Sequence, residues 1–343
     1  MEFLYEYGLF FAKVMTFVVA IVVIIASVAG AAQKQKHKKG ELEINDLSEQ
    51  YSETEEYMTA HLLDKDEMKQ HEKALKKKEK EDAKAKKEGR QESKKRMFVV
   101  DFNGSIDAKE VDSLREEVSA ILSVANQNDE VLVRLESGGG MVHGYGLASS
   151  QLDRIRKREI PLTVSVDKVA ASGGYMMACV ADKIISAPFA ILGSIGVLAQ
   201  IPNFHKLLKK SNIEFEQLTA GEYKRTLTMF GENTDKAREK FQQELEETHQ
   251  LFKQFVSEHR DSLDINQVAT GEHWFGLKAK ELGLVDEIST SDDYLQTAAK
   301  DCKVLSIKYN MKKGLAEKFS MAASMSLENL VGKLWQKNQV LPK

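Results

Sequence analysis

The stretch MFVVDFNGSIDAKEVDSLREEVSAILSVANQNDEVLVRLESGGG, residues 97–140, decides the fold of this chain. It opens with MFVVDFNGSI, which predicts a strand followed by a turn. Apolar residues then recur at helical spacing over residues 108–125, and EVLVRLES, residues 130–137, predicts a second strand that ends in glycines. A strand, a helix and a strand in this order are typical of two parallel strands joined by a crossover helix.

The same alternation continues downstream. Residues 144–156 predict a helix, residues 162–170 a strand and residues 174–181 another helix, and short strands are predicted over residues 183–186 and 195–199. Units of this length predict an α/β fold with a mostly parallel sheet. Ligands of such sheets bind at the carboxyl ends of the strands, and the glycine-rich segments of this chain fall there.

The composition sets outer limits on the class of protein. The chain has 343 residues, which suggests about two domains, and its 42% hydrophobic and 29% charged residues exclude a fully disordered chain. Lys and Arg number 49 against 52 Asp and Glu, so the net charge of −3 does not indicate a nucleic-acid partner. The 2 cysteines, Cys179 and Cys302, exclude a disulfide scaffold and a multi-cysteine metal module.

The N-terminus predicts a membrane anchor. Val14–Ala32 carries no charged residue and is long enough, as a helix, to cross a bilayer core and contact its lipid. A buried core helix and a cleaved signal peptide are the alternatives, but Glu2 and Glu6 replace the basic residues that precede a signal sequence. Lysines are concentrated after the span, which predicts that the bulk of the chain is cytoplasmic, with the opposite orientation as the alternative.

A highly charged region separates this span from residue 97. Residues 41–60 are acidic, and residues 64–96 form a Lys/Glu tract that cannot bury a core. Glu–Lys pairs at helical spacing could support a solvated helix in this tract. A plain spacer is favoured over a tract that binds anionic lipid. The predicted organisation is an anchor with its basic flank (residues 1–39), a charged linker (40–96), a folded domain (97–290) and a helical tail (291–343).

Four segments of the predicted domain are candidates for chemistry, and each alone has an ordinary structural interpretation. Glu136–Gly140 (ESGGG) follows a strand as a tight turn would, and it has no phosphate-loop lysine. Ala170–Tyr175 (AASGGY) joins a strand to a helix, where Ser172 is either an N-cap or a hydroxyl beside amides that stabilise an oxyanion. Leu192–Val197 (LGSIGV) alone is a turn, and Gly221–Arg225 (GEYKR) alone carries a surface lysine.

Together these segments resemble the signal peptide peptidase A family of membrane serine proteases. The serine segment, the downstream GSIGV and a Gly-x-Tyr-Lys lysine 52 residues past the serine are similar to the family's motifs. GEHWFGLKAKELGLVDEI, residues 271–288, is similar to a helix-turn-strand of that family. The resemblance covers residues 97–288 well, and the anchor, the charged insert and the ESGGG variant resemble the SohB-type branch.

The resemblance implies a crotonase-like or ClpP-like spiral of βαβ units that carries a Ser–Lys dyad. Ser172 is then the nucleophile, Lys224 the general base and Ser194 the second serine, which hydrogen-bonds and orients the lysine. A serine hydroxyl is a weak nucleophile until a base takes its proton, and a lysine does so only in its neutral form, which burial favours.

The resemblance also implies an oxyanion hole formed by the Gly173 amide and a glycine of the run after residue 137. Where the family usually has Ser-Pro-Gly-Gly, this chain has Ser-Gly-Gly-Gly, so the choice between Gly139 and Gly140 stays open. The residues expected to contact the substrate beside this hole are Gly193, Ile195 and Gly196.

A Ser–His–Asp triad is the alternative mechanism. In the related ClpP arrangement the histidine would fall near residues 193–200, which contain none. The nearest histidines are His143, which could line the cleft, and His205. Cys179 follows Ser172 on the predicted helix and is expected in the core.

The tail and the family resemblance predict an assembly. Residues 234–259 predict a long charged helix with an apolar stripe, and residues 315–335 predict a second amphipathic helix whose expected use is oligomer packing, with membrane-surface contact as the alternative. The resemblance implies a ring-like homo-oligomer whose sites face a cavity.

We therefore predict a serine endopeptidase of the bacterial inner membrane that uses no metal and no cofactor. Its expected substrates are extended peptides, such as released signal peptides or fragments of membrane proteins. Two alternatives come from other classes of function: an inactive membrane scaffold with a crotonase-like domain, and a crotonase-type acyl-CoA enzyme that uses the oxyanion hole without a nucleophile.

Overall fold

A computed structural model describes residues 13, 15–16, 40–64, 66–71, 73, 77 and 95–311. Residues 42–309 form one compact unit. The predicted anchor (apart from Met15 and Thr16), most of the Lys/Glu tract and the tail helix at 315–335 lie outside the described residues. Within the described ranges, every helix is too short or too polar to span a bilayer.

This unit alternates strands and helices along the chain. The strands are β1 (Glu41–Asp46), β2 (Arg96–Asn103), β3 (Glu130–Glu136), β4 (Leu162–Val166), β5 (Val169–Ala171), β6 (Lys183–Ser186), β7 (Ile191–Gly193), β8 (His273–Phe275), β9 (Glu287–Ile288) and β10 (Lys303–Asn310). The helices are α1 (Leu47–Leu62), α2 (Val111–Leu122), α3 (Val142–Arg156), α4 (Gly173–Ala178), α5 (His205–Lys210), α6 (Asp235–His259), α7 (Ile265–Val268), α8 (Gly276–Glu281) and α9 (Ser291–Ala298).

The main sheet has seven strands in the order β1-β10-β2-β3-β4-β6-β9. The pairs from β10 to β9 are all parallel, and β2 and β3 pair from Met97–Glu130 to Asn103–Glu136. Strands covered on both faces need apolar side chains on both, which explains the nearly continuous apolar runs of β2 and β3. The predicted α/β fold with a mostly parallel sheet is confirmed.

Each face of the sheet has its own apolar cluster. Val118 of α2 and Leu152 of α3 belong to the large cluster with Val100 and Val133 of the sheet. On the other face, Leu47 and Tyr51 of α1 and Leu295 of α9 pack with side chains of β2, β3 and β10, namely Met97, Val99, Leu132 and Val304. Residues that precede the predicted domain of residues 97–290 in the sequence, and residues that follow it, therefore contribute to the fold.

A second, small sheet has the order β5-β7-β8, with β5 and β7 parallel and β7 and β8 antiparallel. The strand predicted over residues 162–170 is thus two strands, and β5 belongs to the small sheet. The strand predicted over residues 195–199 is wrong, because β7 ends at Gly193. Gly193 and Ser194 have φ of 95° and 51°, and this left-handed backbone cannot continue a ladder.

Residues 194–234 separate β7 from α6, and we call residues 197–234 the excursion. The structure describes all residues of the excursion, and the short helix α5 is the one regular element among them. The long helix predicted at 234–259 is confirmed as α6: the Thr234 side chain accepts a hydrogen bond from the Ala237 amide at its start. Phe252 and Val256 bury the C-terminal half of α6 in the core.

Candidate active site

Ser172 occupies a sharp turn between β5 and α4. Its backbone has φ 53° and ψ −118°, which an L-residue adopts only when its neighbours hold it there. Its amide donates to the Gly193 carbonyl of β7 at 2.8 Å. The next residue must be glycine, because a Cβ on Gly173 would lie 2.4 Å from Cγ of Tyr145. The turn presents a half-buried serine at the N-terminus of a helix.

The glycine run after β3 lies directly against this turn. A Cβ on Gly139, whose φ is 87°, would lie 2.7 Å from both Cβ of Ser172 and N of Gly173. The Gly139 amide donates to Oγ of Ser137 at 3.1 Å. In the described part of the chain, no acceptor is paired with the amides of Gly140 and Gly173. Two amides are therefore available to an anionic oxygen: that of Gly173, next to Ser172, and that of Gly140, in the wall of the same cleft.

Ser194 lies in the same cleft as Ser172. Its amide donates to the Glu272 carbonyl at 2.6 Å, in the segment that enters β8. The cleft has a volume of about 620 Å³. Its walls are Ile106, Gly138, Gly139, Gly140, Met141, Val142, Ser172, Ser194, Gly196, Val197, Leu198 and Gly271. Both serines and the glycine run thus meet in one open, largely apolar groove.

The residues expected to contact substrate occupy different places. Gly196 lines the cleft. The Ile195 side chain is fully buried in the core, and its carbonyl is 3.2 Å from Nε2 of His249 on α6. Gly193 is covered by the Trp274 ring, which a Cβ at that position would approach to 2.9 Å. Of the three, Gly196 is the one in the cleft wall, and Ile195 and Gly193 support that wall from behind.

Lys224 is not in the walls of this cleft. It is exposed, and its amide donates to the Gly221 carbonyl in a turn of the excursion. It lines a separate hollow of about 910 Å³ together with Arg225, Leu218 and Phe230 among others. The structure brings Ser172, Ser194 and the predicted oxyanion glycines together and leaves Lys224 apart from them.

No histidine of the described residues lines the serine cleft. His143 is exposed on the first turn of α3, and His205 lies at the start of α5. Cys179 is fully buried, and desolvation raises the pKa of its thiol, as expected of a core residue. Among the described residues, no group of three or more His, Cys, Asp and Glu side chains is arranged to hold a metal ion.

Sequence reasoning missed the side chains that support the glycines. Tyr145 of α3 is fully buried, and its hydroxyl contacts Oγ of Ser137 and donates to the Ser105 carbonyl. Desolvation raises the pKa of this phenol, so it is a neutral donor at ordinary pH. The apolar walls Ile106, Met141 and Val142 were also missed, because they become neighbours only when β2 and β3 pair.

Comparison with known proteins gives two family matches that together cover most of the chain. Residues 2–152 match Peptidase family S49 N-terminal, and residues 154–305 match Peptidase family S49. The chain is 54% identical to "Probable protease SohB" of Haemophilus influenzae over 96% of both chains. It is 60% identical to "Probable protease SohB" of Buchnera aphidicola subsp. Acyrthosiphon pisum over 71% of this chain and 72% of the relative. It is 28% identical to "Protease 4" of Haemophilus influenzae over 59% of this chain and 34% of the relative.

Proposed function

This chain belongs to peptidase family S49 and is of the SohB type, and on that premise we propose that it is a membrane-anchored serine endopeptidase with a Ser–Lys dyad. Ser172 attacks the peptide carbonyl and forms an acyl-enzyme, and Lys224 takes the serine proton and donates it to the leaving amine. The observation that carries the proposal is the strained Ser172 turn packed against a glycine run, with amides of Gly140 and Gly173 available to the same cleft. The arrangement of its βαβ units belongs, in this proposal, to the crotonase-like class.

The oxyanion hole of the proposed enzyme uses Gly140 and Gly173. The Gly139 amide is engaged by Ser137, which favours Gly140 as the donor from the glycine run. The carbonyl oxygen becomes negative in the tetrahedral intermediate, and amides already in place stabilise that charge without rearrangement. Ser194, in the same cleft, orients the lysine.

Lys224 must reach Ser172 for this mechanism to operate. In a single chain Lys224 is exposed to solvent. A lysine that acts as a base must be shielded from water to stay neutral. The excursion that carries it exposes large apolar side chains, including Leu218 at 94% and Phe230 at 41%. Exposed apolar surface of this kind marks a protein interface. We therefore propose a ring-like homo-oligomer in which a neighbouring copy covers the excursion and contributes Lys224.

The expected substrates are extended peptides, including released signal peptides and fragments of membrane proteins. The cleft is open and bordered by apolar side chains such as Met141 and Val142, which suits a peptide strand with apolar residues. The proposed location is the bacterial inner membrane, with Val14–Ala32 as the anchor and the catalytic domain on the cytoplasmic side.

Active-site labelling tests the proposal directly. A fluorescent fluorophosphonate probe should label the full chain in detergent, and Ser172→Ala and Lys224→Ala should abolish labelling. Ser172→Ala should also lower the hydrolysis of fluorescein-labelled casein by about four orders of magnitude or more, as loss of a catalytic serine does. Ser150→Ala and Lys280→Ala are matched controls, since both residues are exposed and lie outside the cleft wall and the excursion.

The inactive scaffold is the competing function, and the separation of Lys224 from the cleft is the observation that favours it. Full peptidase activity of Ser172→Ala would contradict the proposal. An unlabelled, inactive wild-type protein, tested beside a Ser–Lys protease that labels well, would support the scaffold.

A further inference from the structure

A chain of hydrogen bonds runs from the glycine run into the core. The Gly139 amide donates to Oγ of Ser137 at 3.1 Å, Oγ of Ser137 contacts Oη of Tyr145, and Oη donates to the Ser105 carbonyl at 2.8 Å. A phenol has one hydrogen, and here it goes to the carbonyl. The Ser137 hydroxyl must then donate to Tyr145, which leaves its lone pair for the Gly139 amide. Each of the three donors has one acceptor, so the chain has a single direction.

The ring of Tyr145 makes a second contact with the site. Gly173 lies so close to the ring that a Cβ there would be 2.4 Å from Cγ of Tyr145. Gly104 lies against the hydroxyl end of the same side chain, because a Cβ on Gly104 would be 2.5 Å from Oη of Tyr145. One buried side chain therefore touches both segments that hold the candidate oxyanion donors: the glycine run through Ser137, and the turn at Gly173 directly.

The glycine run needs such a support. Three consecutive glycines have no side chains to hold them, and apart from Gly138 and its two neighbours in the chain, no heavy atom lies within 4 Å of the position that a Cβ on Gly138 would take. Met141 at the end of the run is fixed by its amide, which donates to the Ile106 carbonyl at 2.8 Å. The bond from the Gly139 amide to Oγ of Ser137 fixes the middle of the run, and the same Oγ contacts Tyr145.

We propose that Tyr145 is a positioning residue which, through Ser137, holds the glycine run so that the Gly140 and Gly173 amides meet the oxyanion formed at Ser172. The inference rests on the proposed serine-peptidase function. Tyr145 contacts no substrate in this role. It acts by fixing the direction of the amide donors. These amides stabilise the oxyanion because they are already in place before its negative charge develops. Because hydrogen bonds in such a chain strengthen one another, loss of one member should weaken the rest.

Tyr145→Phe is the decisive variant, because it removes the hydroxyl and keeps the ring against Gly173. We expect kcat for fluorescein-labelled casein to fall by about tenfold to a hundredfold, somewhat less than for loss of an oxyanion donor itself, with KM within about twofold of wild type. The rate of fluorophosphonate labelling should fall by a similar factor. Ser137→Ala should lower kcat by the same factor. The kcat of the double variant should be no lower than that of the less active single variant, because both changes break the same chain of hydrogen bonds.

Tyr175→Phe is the matched control. Tyr175 is also fully buried, and its hydroxyl donates to the Leu284 carbonyl at 3.0 Å, away from the glycine run. It should keep the wild-type kcat while losing thermal stability as Tyr145→Phe does. That pattern separates the positioning of donors from a general loss of packing.

Three outcomes overturn the inference. One is a wild-type kcat in Tyr145→Phe, and another is a loss seen in KM alone. If Tyr145→Phe fails to fold, as judged by its melting curve, Ser137→Ala carries the test, and a wild-type kcat there is the third. A wild-type protein that neither cleaves casein nor labels at Ser172 overturns the proposed function itself, and that failure is recognised because it appears before any variant is compared.

Discussion

Ser172 and Ser194 are held in left-handed backbone conformations, with φ of 53° and 51°. Such a conformation costs an L-residue about 1–3 kcal/mol and persists only where the surroundings fix it. Here the fixing contacts are hydrogen bonds from the two serine amides to the Gly193 and Glu272 carbonyls. The strain holds both serines in the wall of one cleft, which is the arrangement that the proposed reaction needs.

The pair formed by Arg260 and Asp286 gives a prediction about acid stability. The carboxylate of Asp286 accepts hydrogen bonds from the Arg260 guanidinium at 2.7 and 2.9 Å and from the Ile184 amide at 2.7 Å. Burial alone would raise the pKa of Asp286, but the hydrogen bonds from Arg260 and Ile184 outweigh it and lower that pKa. The stability that the pair supplies is therefore present above the unfolded-state pKa of about 4 and is lost as the pH falls through the lower folded-state pKa.

Asp286→Asn should lower the free energy of unfolding by about 1–2 kcal/mol at pH 7, because Arg260 would keep its charge with little water around it. The loss is modest because the Asp286 side chain is 36% exposed. Urea unfolding of the full chain in detergent should show the gap between wild type and variant closing below about pH 4. Glu287→Gln, which breaks the exposed Lys183 pair next to it, should stay within about 0.5 kcal/mol of wild type. A gap that is constant down to pH 2 would contradict this account.

At the scale of elements, helix α6 supports the segment that follows strand β7 of the small sheet. Nε2 of His249 is 3.2 Å from the Ile195 carbonyl, between Ser194 and Gly196 of the cleft wall. Residues 194–204 have no regular structure of their own, so this contact is a main support for the wall. The other supports are the Ile195 side chain, which is buried in the core, and the bond from the Ser194 amide to the Glu272 carbonyl.

His249→Ala should lower kcat/KM for labelled casein by about tenfold, since small displacements of groups around a reacting centre are costly. His249→Gln should restore most of the activity, because its amide nitrogen can donate to the same carbonyl. His259→Ala is the control on the same helix: its Nδ1 is 2.8 Å from the Phe255 carbonyl, so its removal leaves the cleft wall intact. Equal losses in all three variants would show that α6 matters for folding alone.

Elements with strong local periodicity could be predicted from the sequence. The strands β2 and β3 and the helices α2 and α3 bury regular apolar positions, and each falls where the pattern predicts it. Glu41–Leu62 could not be predicted in the same way, because few apolar side chains of α1 reach the core. The short strands β5 and β7 depend on partners elsewhere in the chain, so a local pattern predicts their register poorly.

At the scale of the whole molecule, the family motifs divide into a serine part and a lysine part. The motifs around Ser172, Ser194 and Gly139 lie at the ends of strands, so the parallel topology brings them together. Lys224 lies on the excursion, which no strand positions. The resemblance of the sequence to the family predicts that Lys224 acts together with Ser172. The spacing of the two residues along the chain does not say whether the lysine comes from the same copy or from a neighbouring one.

Mixing two inactive variants tests the assembly. In a ring where each site takes Ser172 from one copy and Lys224 from the next, Ser172→Ala and Lys224→Ala proteins complement each other. Random assembly of an equal mixture places an intact serine beside an intact lysine at about a quarter of the sites, so about a quarter of wild-type activity should return. The measurement is casein hydrolysis after the two proteins are mixed, dissociated and reassembled in detergent. Ser172→Ala mixed with the double variant is the control and should stay inactive. If co-purification through two different tags proves that the copies have mixed and no activity returns, the lysine must come from the same chain, and the excursion must then fold over its own cleft.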